Sequence, residues 1–554
     1  MAKEKVTVFT ARKFHTMDPG RPTAEAVAVL DGKVLSTGTM DSMQPWLSRY
    51  DVTVDETFKD KVILPGFIEP HAHFWMSAGF LALEFIGPIP WPGPSGMQKP
   101  LKTFDDVIAH LKKVVAEEDD KTKPLICWGY DRAKQGGTMN REVLDQISTE
   151  RPIYILTWAP HFYYLNTPAI DRANIPDDMI SPNLKRDENG RLTGEFTEPQ
   201  GFAVSCAPVV KDITALCNPD GLQFMAEIGT SVGVTTVSDM MFGVIDYDSE
   251  LRDHKTATSN PDYPVRMHMV PHGFSFIVKH GDKAVEAMEA LDEHETDKLF
   301  FKGVKFQTDG SFPLMGSRVN YPGYLEGGNG QTADSDLVKN MLPFWKAGRK
   351  FHVHANGDLA LDDTLDALAA LQELHPRFDH RYTVEHYSIS NPMQARRLKA
   401  LGGIASVNVY FVHFRGLLHE THAYGPDRSD AVARLGTLER EGVTFALHAD
   451  YPQVVVPMEP LTAVYSAVTR LAEDDKTVLA PDERIGVERA IRAVTIDAAY
   501  ILGREREVGS LEQGKFADFV ILDEDPFEVP HEKIKDIGIW GTVLGGKHFQ
   551  AKPK

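Results

Sequence analysis

Three cysteines in 554 residues are too few for a disulfide framework. Cys127, Cys206 and Cys217 stand at spacings that match no zinc pattern, so they read as reduced, mostly structural thiols. Long apolar runs are also missing. No stretch approaches the roughly 18 apolar residues of a membrane span, and residues 1–9 lack the apolar core of a secretory leader. A cytoplasmic location is the expectation. Positive charge is scarce: 59 Lys and Arg stand against 79 Asp and Glu, a formal net charge of −20. That balance argues against nucleic acid or an anionic membrane as the main partner. Fixed-period repeats and low-complexity segments are absent as well. What remains is a globular composition, 42% hydrophobic and 25% charged, long enough for one large barrel with additions. A small molecule is the expected partner, and the composition is compatible with a homo-oligomer.

The two ends of the chain read as β structure. Val6–Phe9 and Ala26–Leu30 are short strands, and Asp31-Gly32 is a strong hairpin signal before Lys33–Gly38. Phe519–Leu522 and Ile537–Leu544 supply strands at the other end, after the turn-rich stretch Gly509–Asp518. Two half-sheets around a long middle predict one β-sandwich domain built from residues 1–62 and 495–554. Residues 80–225 hold Pro-rich loops, an amphipathic helix from Phe104 and strands near Leu125–Trp128 and Ile153–Trp158. This is too long for a single strand-to-strand connection and reads as an inserted α+β subdomain.

From about residue 222 strands and helices alternate. Strands are expected at Val234–Ser238, Arg266–Val270, Phe301–Phe306, Lys350–His354, Tyr382–His386, Gly403–Val409 and Val443–Ala449. With the strand that ends at His73 they make eight, which predicts an α/β fold with a closed (β/α)₈ TIM-type barrel over residues 63–494.

In such a barrel reactive groups gather at the C-terminal ends of the strands. Strand 1 ends in His71 and His73. Strand 4 carries Lys305, strand 5 ends in His352-Val353-His354, strand 6 in Glu385-His386, and strand 8 in His448-Ala449-Asp450. A lone His-x-His reads as well as two satisfied core histidines. Metal-competent groups at four further strand ends favour a bound divalent ion instead.

The stretches Pro65–His73, Val304–Ser311, His354–Asp358, Val384–His386, Ala449–Pro452 and Gly509–Asp518 resemble, in order, the amidohydrolase superfamily. Within it they resemble the amidohydrolase-3 branch, which includes YtcJ-like proteins and N-substituted formamide deformylases. The resemblance implies that His71, His73, His354 and His386 are metal ligands. It makes Asp450 a carboxylate that binds metal and shuttles protons. It matches Lys305 to a lysine that is N6-carboxylated in related enzymes and then bridges two metals. Imidazole and carboxylate donors suit Zn²⁺ best, with Mn²⁺ or Fe²⁺ as alternatives and one or two ions. His161 and Glu198 resemble positions the branch uses near its substrate, His161 as an oxyanion donor. His448 departs from the small residue usual there.

The expected reaction is hydrolysis of an amide-type C–N bond of a small molecule. Hydrolysis of an ester, lactone, carbamate or cyclic amide is the alternative, and a metal-free binding scaffold is the more distant one. Aromatic residues at loop positions, among them Trp75, Phe312 and Phe411, suggest a fairly apolar substrate. Asp309-Gly310 reads as a turn, and Gly316–Gly330 as a mobile lid.

Overall fold

Asp31 and Gly32 both take positive φ, 50° and 76°. That is the backbone of a type I′ turn, and it folds Thr23–Leu30 against Lys33–Gly38 as the sequence predicts. The computed structural model describes residues 3–159, 161–333, 336–453 and 456–552, with the side chains of Glu198 and Pro199 left aside. The hairpin belongs to an eight-stranded sheet that draws on both ends of the chain. The ends join where Val62–Pro65 pairs antiparallel with Phe519–Leu522. Its apolar side chains fall into two clusters. One holds Phe9, Phe14, Val27, Phe519 and Val543, and the other packs Val6, Val8 and Ala28 against Met43 and Leu47.

Two parallel sheets carry the middle of the chain. Phe67–Ala72, Val234–Phe242, Arg266–Pro271 and Leu299–Phe301 form the first. Val304–Gln307, Phe351–Ala355, Thr383–His386, Ile404–Val407 and Phe445–Leu447 form the second. Helices such as Tyr247–Ser259, Asp358–Leu374 and Pro392–Ala400 connect successive strands. The fold is therefore α/β. The expected single strand Phe301–Phe306 is divided: Gly303 has φ +84°, which turns the chain between Phe301 and Val304. Two short helices, Pro426–Asp430 and Leu435–Arg440, precede the last parallel strand, with Ala433 left-handed between them. A parallel bridge between His272 and Lys305 links the two sheets, and Asp450 N donates to His71 O at 3.0 Å.

Residues 3–74, 225–450 and 457–552 form one compact unit, and residues 75–224 with 451–456 form a second. In the second, a six-stranded sheet packs Cys127, Ile153 and Ile155 against Val107 and Leu111 of helix Phe104–Glu117. Thr103 and Asp106 close a capping box at that helix start. Trp91 lies edge-on to Trp158 at 4.7 Å and stacks on Tyr451 at 5.1 Å. All three cysteines are buried thiols, none in a disulfide. Among the described residues no helix is long and apolar enough to cross a membrane.

One ion pair ties the parallel strands to the terminal sheet. Arg266 donates through Nε and Nη2 to the two carboxylate oxygens of Asp518, at 2.7 and 2.9 Å, and both side chains are 4% exposed. Asp518 also accepts from Gly545 N at 2.8 Å, and its carbonyl accepts from Gly66 N. Removing one partner of a buried pair strands the other charge. Asp518→Ala is expected to cost about 3–5 kcal/mol, read as a lower urea midpoint by circular dichroism. Arg266→Met with Asp518→Leu should recover most of that loss. A single variant as stable as the wild type would show that the pair is not structural.

Candidate metal centre

Every residue of Phe67–Ala72 is buried, so the polar side chains in it need partners inside the protein. Glu69 finds backbone donors: His71 N at 3.2 Å and Ala449 N at 3.1 Å. Burial, reinforced by Asp450 and Glu385, pushes its carboxyl well above the usual range. The first and last parallel strands are thereby held side by side at the ends that carry His71, His73 and Asp450.

His71 is the hub. Its Nδ1 pairs with Glu385 Oε2 at 2.6 Å, and the other oxygen of Glu385 meets His352 Nδ1 at 2.7 Å. A carboxylate on one ring nitrogen fixes the tautomer and leaves the Nε2 lone pair for a metal. That Nε2 lies 3.5 Å from Asp450 Oδ1 and 3.3 Å from Lys305 Nζ. Burial, then the charge on Lys305, holds the His71 imidazole well below its ordinary pKa. A neutral ring is what a metal requires.

Asp450 takes a left-handed backbone, φ 57°. Its Oδ1 stands 3.1 Å from His73 Nε2, and its Oδ2 3.8 Å from His386 Nδ1. His386 is also left-handed, φ 72°, and burial followed by His354 lowers its pKa. Non-glycine residues in this region are strained, and such strain gathers at functional sites. One donor atom each from His71, His73 and Asp450 lies within 4.8 Å of the others, and so does the set His71, His386 and His448. The residues fit a divalent ion: imidazoles with one carboxylate, almost wholly buried.

Lys305 is buried beside these groups. Burial lowers its pKa to about 8, against the opposing pull of Glu385 and Asp450. His354 stands at the edge, its ring 4.4 Å from that of His386. Its Nε2 is engaged with Asp309 Oδ1 at 3.3 Å and Asn356 Nδ2 at 3.0 Å, and His354 joins neither compact triad among the described residues. Phe312 and Phe411 come together, ring centroids 4.6 Å apart, with Phe312 stacked on Tyr424 as well. Trp75 and His161 belong to the second unit, where Trp75 is buried and His161 N donates to Ala159 O. Glu198 opens helix Glu198–Ser205, and its side chain lies outside the described residues.

Three residues here were read too modestly from sequence. Glu385, the neighbour of His386 in the sequence, orients two imidazoles. His448 stacks on His71 at 4.6 Å and 17°, and burial lowers its pKa to about 3. Asp309 is more than a turn residue. It accepts from Asn356 N, Gly357 N and Arg318 N at 2.8–3.0 Å. The start of the expected lid is thus pinned, and Gly310 N also donates to Gly316 O. The available signal was burial: a carboxylate inside an apolar strand needs donors.

The sequence pattern of the Amidohydrolase family matches residues 58–549. Protein LONG AFTER FAR-RED 3 of Arabidopsis thaliana is 25% identical over 96% of this chain and 90% of its own length. Putative amidohydrolase YtcJ of Bacillus subtilis is 24% identical, covering 94% and 95%. N-substituted formamide deformylase of Arthrobacter pascens is 24% identical, covering 96% of each. An uncharacterized metal-dependent hydrolase from Pyrococcus horikoshii superposes with a TM-score of 0.71 at 20% identity, over 95% of this chain and 99% of that one. At that identity the superposition shows the fold alone.

Glu385→Gln keeps the shape of the bridging side chain and removes its charge. Its metal affinity, measured by competition with a chelator, is expected to fall about 10–100-fold. An unchanged affinity would mean that Glu385 does not orient His71.

Proposed function

Since the chain belongs to the amidohydrolase family, we propose that it is a metal-dependent hydrolase that cleaves an amide-type C–N bond of a small, fairly apolar molecule. The observation that carries this reading is the convergence of His71, His73, His386, His448 and Asp450 from three strand ends into two overlapping donor sets. The parallel strands are read as a (β/α)₈ barrel, the arrangement that puts these ends on one face.

His71, His73, His386 and Asp450 would hold the ion, with His354, His448 and a modified Lys305 at hand for a second. Zinc is the ion this donor set fits best. When bound, such an ion lowers the pKa of water from 15.7 to about 7 and polarises a carbonyl. The remaining work falls to the chain. Glu385 holds His71 in one tautomer. Asp450 takes the proton of the attacking water and returns it to the leaving nitrogen, a group that otherwise departs poorly. The backbone bond to His71 and the left-handed φ keep that carboxylate aimed at the donor set. A buried ammonium 3.3 Å from an imidazole nitrogen offers no lone pair. Once the ammonium has given up a proton, the free amine of Lys305 can form an N–C bond to carbon dioxide with loss of a second proton, which turns it into an anionic oxygen donor. His161 as oxyanion donor rests on the family resemblance. Phe312 and Phe411 support an apolar substrate by their packing.

Asp450→Asn should fold as the wild type does and lose about 10²–10⁴-fold in turnover. Turnover near that of the wild type would remove Asp450 from proton transfer. Screening N-formyl, N-acyl and ester substrates on zinc-loaded protein tests the bond. Hydrolysis of esters or lactones with no amide cleaved would overturn the C–N assignment.

A further inference from the structure

A second buried group of metal-competent side chains lies away from the residues above. Asp239 is on strand Val234–Phe242. Its neighbour Met240 packs with Ile68, Val270 and Ile404, so alternation turns Asp239 to the opposite, helix-facing side. Glu250 and His254 sit one turn apart on the facing helix, Tyr247–Ser259, and so share one face of it. One donor atom from each of the three lies within 4.8 Å of the others, and His254 Nε2 is 3.8 Å from Asp239 Oδ2.

The three residues are 0–3% exposed. Glu250 accepts one hydrogen bond, from Gly243 N at 2.9 Å, and makes no ion pair with a basic side chain among the described residues. Neither ring nitrogen of His254 has a hydrogen-bond partner, although the ring is wholly buried and aimed at Asp239. Tyr263 is wholly buried too, its hydroxyl has no hydrogen-bond partner, and Asp239 is its charged neighbour. Orphaned imidazole nitrogens next to two close carboxylates are costly without a cation to share. Burial holds the His254 imidazole at about 3, so the ring is neutral and its lone pair is available.

We propose that Asp239, Glu250 and His254 bind one divalent transition-metal ion of the zinc class, which clamps helix Tyr247–Ser259 to strand Val234–Phe242. The dication balances the two carboxylates, and the imidazole makes the site more selective for zinc than for calcium or magnesium. The site is structural. It is buried, and it shares no ligand with the proposed catalytic centre.

The decisive experiment separates the two centres. A His71→Ala/His73→Ala/Asp450→Asn variant, stripped with a chelator and titrated with zinc chloride, should still retain about one ion per chain by elemental analysis. Adding Glu250→Gln and His254→Gln should weaken that binding at least ~100-fold. If the added changes prevent folding, zinc-soaked crystals of the wild type decide the matter. An anomalous peak is expected about 2.0–2.2 Å from the three donor atoms. No zinc retained by the first variant, or no anomalous peak between these residues, overturns the proposal.

Discussion

Two hydrogen bonds tie the first parallel strand to the segment that follows the last one. Glu69 accepts from Ala449 N, 380 residues away, and Asp450 N donates to His71 O. Each bond alone contributes little net stability. Leaving the buried Glu69 carboxyl group unbonded would cost more, so these contacts enforce register as much as they stabilise. Everything at the candidate centre depends on that register. His71 and His73 come from one end of the chain's middle, Asp450 from the other, and their donor atoms face each other only while the strands stay level.

The same burial that makes the centre expensive makes it usable. His71, His386 and His448 are held neutral by desolvation; neighbouring groups lower His71 and His386 further, while Asp450 opposes the shift at His448. Neutral imidazoles keep their lone pairs. Glu385 supplies negative charge on the far side of His71, where it orients the ring without occupying the donor position. Strain at His386 and Asp450 is held by the surrounding packed strands, as residues in left-handed geometry require. The Asp239, Glu250 and His254 group repeats the principle on the helix-facing side of a strand. There the tie is between a helix and the sheet rather than between two strands.

Much of this was legible in the residues. Hairpin chemistry at Asp31-Gly32, apolar strands followed by amphipathic helices, and the histidines at strand ends all appear as local patterns. The strand expected at Phe301–Phe306 divides at Gly303, because a positive φ at one residue turns a chain that is otherwise extended on both sides. Glu385, His448 and Asp309 were underrated because their roles depend on residues far away in the chain. Glu385 reaches His71 across 314 residues, and Asp309 holds three backbone donors from two separate loops. The Gly316–Gly330 segment looked mobile from its glycines, yet Asp309 and Gly310 tie its beginning down.

The sequence by itself determined the family, the α/β alternation and which residue types stand at the strand ends, because these are properties of local pattern and of order along the chain. Only the tertiary structure decided which of those groups share a space. His354 turns toward Asp309 and Asn356, whereas His448 comes to lie on His71. The physical reason is that period and alternation select a face within one element. Which faces meet, and how the chain turns beyond a strand end, is settled by long-range packing and by the few backbone angles that packing holds in place.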